Sequence, residues 1–154
     1  MAVRRVFGDE TWRLATEGES EALYRAAAAL EAVPGDRDYD SHRARAFALA
    51  VEGKVDEARD ELNEGWTEDW PFPAAYAADI ARVWYLAGDY GHSLDALHLA
   101  VRGADRVDGA LPALARACVA RAPRLLPRAL KVALAGGTPT QRLKAAAGVV
   151  RARF

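Results

Sequence analysis

The pattern of apolar and polar positions along this chain has the period of α-helices. Hydrophobic side chains return every three or four residues, as in helices that bury one face. Segments with glycine or proline interrupt the pattern and divide the first two-thirds of the chain into six predicted helices. These fall at about residues 10–17, 20–32, 41–52, 55–65, 74–87 and 90–103. Isoleucine occurs once and Thr, Asn and Ser are scarce, so the predicted fold class is all-α.

The last third of the chain predicts three further helices. The first, in GALPALARACVARAP, ends near Pro123, and the second, in RLLPRALKVALAGG, has Pro127 in its first turn, where proline is tolerated. The third starts with a capping box, with Thr138 as N-cap, Pro139 at the first helical position and Gln141 at the third. We interpret these helices as a divergent extra pair followed by a C-terminal capping helix.

Two stretches of the chain repeat each other position by position. RAFALAVEGKVDEARDELNEGW begins at Arg45 and ARVWYLAGDYGHSLDALHLAVRG begins at Ala81, with Gly53 and Gly88 lying 35 residues apart. Each glycine follows an apolar helical run and precedes a polar turn, a hydrophobic residue, a small residue and a leucine. The matched positions are Val55 and Tyr90, Ala58 and Ser93, and Leu62 and Leu97.

This pattern resembles the tetratricopeptide repeat, a helix-turn-helix unit of 34 residues. The resemblance is clearest in WYLAGDYGHSLDALHLA, and it gives two clear copies at about 40–70 and 75–105 with a weaker copy at about 9–34 around Gly18. It implies a solenoid of antiparallel helix pairs, with repeats over 9–105 and a divergent basic part over 109–154. At 154 residues we expect one domain.

The turn between the two helices of a repeat has a physical rationale. Glycine forms the left-handed conformation that ends a helix, and Asp89 can then cap the helix that follows. The connector before the third helix offers Ser41 or Asp40 as its N-cap. Two short amphipathic helices cannot bury their apolar faces alone, so the pairs are expected to stack.

The resemblance also implies a binding surface. In the family, the first helix of each repeat lines a concave groove that binds a peptide or protein segment. Transferred by register, the positions that we expect to contact a partner are Arg43, Phe47, Arg82, Tyr85 and Leu86. The predicted function is therefore protein–protein interaction, as a scaffold or adaptor.

Charge is divided unequally along the chain. Residues 109–154 hold nine of the 21 basic residues and no acidic one, whereas residues 1–108 hold the other 12 basic residues and all 22 acidic ones. The candidate basic patch comprises Arg116, Arg121, Arg124, Arg128 and Lys131. Three interpretations remain open: a solvated face, a surface that meets the acidic part of a second copy in a homo-oligomer, and a surface for an acidic partner such as nucleic acid.

No catalytic or metal-binding pattern is evident in the sequence. Cys118 is the one cysteine and no histidine lies near it in sequence, while His92 and His98 lie about 240° apart around a helix. We predict no enzyme activity, no cofactor and no metal. Without a disulfide, a secretory signal or a long apolar run, a cytoplasmic protein without membrane spans, of bacterial type, is expected.

Overall fold

The computed structural model of the protein describes residues 10–32, 38–66 and 73–153, and the regular structure within these ranges is helical. The helices are α1 (10–16), α2 (Ser20–Glu31), α3 (Asp38–Val51), α4 (Val55–Gly65), α5 (Pro73–Leu86), α6 (Tyr90–Val101), α7 (Ala110–Arg121), α8 (Leu126–Ala135) and α9 (Pro139–Ala152). A 3₁₀ turn at Pro123–Leu125 joins α7 to α8. In this part of the chain, none of the helices combines the length and apolar character needed to cross a membrane.

The all-α prediction is confirmed, and most predicted helix bounds agree with the structure within one or two residues. The capping box is present, since the Thr138 hydroxyl accepts from the backbone amide of Gln141 and the Gln141 side chain accepts from the backbone amide of Thr138.

The N-cap predicted for α3 is wrong. That helix begins at Asp38, so Asp40 and Ser41 lie within it, and Ser41 is buried. Parts of the predicted copies, at residues 9, 33–34 and 67–70, lie outside the described residues.

The chain divides into two compact units, residues 1–71 and 72–154. In the first unit α2 packs on α3, and α3 packs on α4. Trp12 of α1 meets the ring of Phe47 edge to face, with 5.8 Å between ring centroids. Phe47, Leu23 and Leu62 are fully buried, so large apolar side chains from three helices form the centre of this unit.

The second unit is built around α6. This helix packs on α5, α7 and α8, and α9 closes the unit by packing on α7 and α8. Among its largest fully buried side chains are Val83, Leu94, Leu97, Val119 and Val149. The three C-terminal helices therefore share one core with the α5–α6 pair.

The same backbone turn occurs after α1, α3 and α5. Gly18, Gly53 and Gly88 have φ angles of 76°, 82° and 83°. In each turn the glycine amide bonds the carbonyl three residues back and the next amide bonds the carbonyl five residues back, which is the Schellman motif. The bonds are Gly18 to Ala15, Glu19 to Leu14, Gly53 to Ala50, Lys54 to Leu49, Gly88 to Tyr85 and Asp89 to Trp84. The weaker copy thus has the same turn as the two clear ones.

Small residues let the two helices of a pair approach closely. Ala58 of α4 is fully buried, and so is Ser93, which holds the matching position in α6. The Ser93 hydroxyl donates to the Ala81 carbonyl of α5 at 2.7 Å. Because a buried hydroxyl needs a partner, this bond satisfies Ser93 while a small side chain keeps the helices close.

A second glycine-dependent contact closes the second unit. The Gly103 amide bonds the Ala135 carbonyl and the Gly137 amide bonds the Ala104 carbonyl, so the segments after α6 and α8 lie backbone against backbone. A Cβ at Gly136 would lie 1.8 Å from the Val101 carbonyl oxygen. Since the obstacle is backbone, no side-chain rotation relieves it.

We predict that Gly136→Ala lowers the free energy of unfolding by more than about 2 kcal/mol, because the added methyl group forces the two segments apart. Urea unfolding followed by circular dichroism measures the change. The matched control is Gly109→Ala, at a position with φ of −60° and no atom within 4 Å of the added Cβ. The control should stay within about 1 kcal/mol of the wild type. Equal stability of the two variants would contradict the prediction.

Candidate functional site

The predicted groove residues of the first unit lie in and over its core. Phe47 has no exposed surface, and the Arg43 guanidinium lies 4.7 Å above the centre of its ring. A cation held on an aromatic face is stabilised by the ring quadrupole. The Phe47 ring therefore packs against the Arg43 guanidinium and offers no exposed surface to a partner.

The predicted groove residues of the second unit are partly engaged inside it. Arg82 donates to the buried Asp79 carboxylate at 2.8 Å, and the Arg82 side chain is only 17% exposed. Tyr85 meets Tyr90 edge to face with 5.5 Å between ring centroids. Burial raises the pKa of Tyr85, and the nearby Arg121 guanidinium acts against that rise. Leu86 is half-buried.

All five residues of the candidate basic patch are exposed, but they lie on different parts of the second unit. Arg116 of α7 lies across Gly148 of α9, where an added Cβ would meet the Arg116 Cδ at 2.9 Å. Arg121 lies near Tyr85. The 3₁₀ turn carries Arg124, and α8 carries Arg128 and Lys131.

Two of these cations line an open pocket, which we name the turn pocket. Residues 87–92, from the end of α5 through the first turn of α6, form one wall, and Arg124, Leu125 and Arg128 form the other. The pocket has a volume of about 530 Å³. The Schellman turn of the repeat and the basic C-terminal region thus meet at one place.

A capped helix end shapes the first wall of the turn pocket. The Asp89 side chain accepts from the His92 amide at 3.0 Å and contacts the His92 Nδ1 at 2.7 Å. The His92 ring stacks on Trp84 with 4.6 Å between centroids. Burial acts to raise the pKa of Asp89, but the hydrogen bonds from His92 outweigh it and hold that pKa below its ordinary value. The predicted N-cap role of Asp89 is confirmed.

The second wall of the turn pocket carries positive charge that is weakly engaged. Arg128 Nη1 lies 3.8 Å from the Asp95 carboxylate, and both of these side chains are more than half exposed; Arg128 also attracts the Asp89 carboxylate across the pocket. An exposed pair of this kind contributes little to stability, so Arg128 can turn towards a ligand. A Cβ at Gly91 would lie 2.9 Å from Arg128 Nη1, so glycine leaves room for the guanidinium beside α6. Arginine side chains such as Arg124 and Arg128 bind carboxylate or phosphate oxygens.

No protein-family model, no curated protein and no solved structure matches the chain.

The charge pattern of the sequence points to Arg124 and Arg128 but not to the residues that face them. The sequence predicts only a capping role for Asp89 and no catalytic or metal-binding role for His92. Asp89 and His92 lie 35 and 32 residues before Arg124, and no local spacing joins the two segments. The one available signal was the concentration of cations after residue 108.

Cys118 lies fully buried on α7. Burial raises the pKa of its thiol to about 11, with a hydrogen bond to Ser93 acting in the opposite direction. We predict that the folded protein reacts with a disulfide reagent at pH 8 at least about a hundredfold more slowly than the chain in denaturant, because the thiolate is the reactive form. Absorbance of the released thiol measures both rates. Native and unfolded rates within tenfold of each other would contradict this.

We predict that Asp89→Ala lowers the free energy of unfolding at pH 7 by about 1 kcal/mol and that Asp89→Asn costs less, because asparagine still caps the helix. Since folding lowers the pKa of Asp89, its ionic contribution is complete above the ordinary carboxyl pKa and is lost as the pH falls through the lower folded-state value. Urea unfolding at pH 7 and pH 3 should therefore show a smaller effect of Asp89→Ala at pH 3.

The control is Asp105→Ala, which removes an exposed carboxylate from the segment after α6. Its effect should stay within about 0.5 kcal/mol at both pH values. If both alanine variants lose the same stability, general charge rather than capping is responsible.

Proposed function

We propose that this protein is a protein-interaction module built from tetratricopeptide-like helix pairs, and that its second unit binds an acidic segment of a partner protein in the turn pocket. The observation that carries the proposal is the placement of exposed Arg124 and Arg128 on one wall of an open pocket. Charge-assisted bonds from two guanidinium groups select carboxylates by geometry as well as by charge.

The repeated turn supports the tetratricopeptide-like part of the proposal. Three helix pairs end their first helix with the same left-handed glycine, and these glycines lie 35 residues apart. The α5–α6 pair also has the small-residue contact expected of such a repeat, in the bond from Ser93 to the α5 backbone. Repeat units of this kind leave their surfaces available for a partner.

The lining of the turn pocket supports an extended acidic peptide as its ligand. Leu125 and the rings at the start of α6 supply apolar surface beside the arginines. An acidic segment that also carries an apolar side chain matches both. The Asp89 carboxylate also lines the turn pocket. Because it repels negative charge close to it, a ligand whose carboxylates are spaced apart is favoured.

The proposal is tested by fluorescence anisotropy with a pool of labelled peptides of about twelve residues that combine Asp or Glu with Leu or Phe. We expect binding to the wild type at 50 mM salt that weakens as salt is raised. Arg124→Glu with Arg128→Glu should weaken it at least tenfold, because two attractive contacts become repulsive.

The matched control is Lys144→Glu with Arg151→Glu, which makes the same charge change at exposed positions on α9. It should stay within twofold of the wild type. Absence of binding by the whole pool, or an equal loss in both double variants, contradicts the proposal. Tighter binding of a duplex oligonucleotide of equal charge would favour a nucleic-acid partner. A dimer mass in light scattering, lost in the Arg124 and Arg128 variant, would favour a second copy.

A further inference from the structure

A cluster of side chains with metal-ligand chemistry lies in the first unit, apart from the turn pocket. His42 of α3 and Glu61 and Glu64 of α4 each offer one ligand atom, and these three atoms lie within 4.8 Å of one another. The His42 Nδ1 is 2.7 Å from a Glu61 carboxylate oxygen. The cluster thus joins the beginning of α3 to the last turn of α4.

Helix packing, rather than chance approach of long side chains, holds the histidine at this place. Gly65 ends α4 and is buried against His42, and a Cβ there would lie 2.8 Å from the His42 Cβ. Only a glycine lets the backbone of α4 come this close to the base of the imidazole. The ring is therefore fixed beside the carboxylates of the last turn, and His42 and Glu61 are both less than a quarter exposed.

The charges around the cluster favour a cation. Helix α4 carries five acidic residues and one arginine, and its last turn has no basic residue. Carboxylates near a helix C-terminus are unfavourable, because the helix dipole places negative partial charge there. Arg45 lies beside Glu61, with its Nη1 3.7 Å from the Glu61 carboxylate, and Arg45 also pairs more closely with Glu31.

The third ligand is available. Glu64 is exposed, and its carboxylate makes no hydrogen bond or ion pair with the residues that the structure describes. Ligand atoms around a metal at 2.0–2.2 Å lie roughly 3 to 4 Å apart. The three ligand atoms must therefore come about 1 Å closer together than the 4.8 Å at which they lie. Rotation of the free Glu64 side chain supplies this movement.

We propose that His42, Glu61 and Glu64 bind one divalent transition-metal ion, with Zn²⁺ as the best match. An imidazole nitrogen with two carboxylate oxygens suits Zn²⁺, whereas Mg²⁺ and Ca²⁺ prefer oxygen ligands alone. Three protein ligands leave a fourth position for water or for a side chain of a partner. Bound here, the ion links α3 to α4 and takes the place of the hydrogen bond between His42 and Glu61.

The test uses the full chain and zinc chloride at pH 7.5 in isothermal titration calorimetry, with thermal unfolding as a second readout. We expect one Zn²⁺ per chain and a rise of several degrees in Tm at saturating Zn²⁺, because the ion binds the folded state. Equal concentrations of Mg²⁺ and Ca²⁺ should leave Tm within one degree. Glu64→Gln and His42→Gln should each weaken Zn²⁺ binding at least tenfold.

Two control variants separate this site from surface binding. Glu57→Gln removes an exposed carboxylate from the same helix, and His92→Gln removes the exposed histidine beside Asp89. Both should keep wild-type affinity. Glu64→Gln changes an exposed side chain, so it tests the proposal even if His42→Gln unfolds the unit. Absence of Zn²⁺ binding, unchanged affinity in Glu64→Gln, or an equal response to Mg²⁺ would overturn the proposal.

Discussion

The helix pairs of this protein depend on a backbone turn that only glycine forms without strain. Gly18, Gly53 and Gly88 each take a positive φ and complete the same two hydrogen bonds to the end of the preceding helix. A side chain at that φ would meet the neighbouring carbonyl. Because the turn reverses the chain within three residues, the two helices are set side by side and their apolar faces meet.

Close packing then follows from small side chains at fixed places. Ala58 and Ser93 occupy equivalent buried positions in α4 and α6, and Gly136 allows a backbone-to-backbone contact that no other residue permits. The large side chains, such as Phe47, fill the space that remains. Small residues thus occupy places of close approach in both units.

The same close approaches shape the turn pocket and the cluster of His42 with Glu61 and Glu64. Gly88 and Asp89 end one helix and cap the next, and they also form the wall that faces Arg124 and Arg128. Gly65 ends α4 and also presses it against His42, beside Glu61. In both places a residue needed for the fold brings charged side chains from separate segments together.

The helices and their ends were predictable because their determinants are local. The spacing of apolar residues, the turn glycines and the Thr138 capping box each act within a few residues of the chain. The start of α3 was not predicted correctly. Ser41 suits an N-cap by type, but the helix continues past it to Asp38, and Ser41 is buried within the unit. Tertiary packing overrode the local preference at that position.

The sequence by itself determined an all-helical chain with a repeated glycine turn and a basic C-terminal region. Only the tertiary structure decided which charges meet. Nineteen residues separate His42 from Glu61 and 32 separate His92 from Arg124, and in both cases the two residues lie on different helical elements. The physical reason is that a helix pattern specifies which face is buried, whereas the neighbour of that face depends on how whole helices pack.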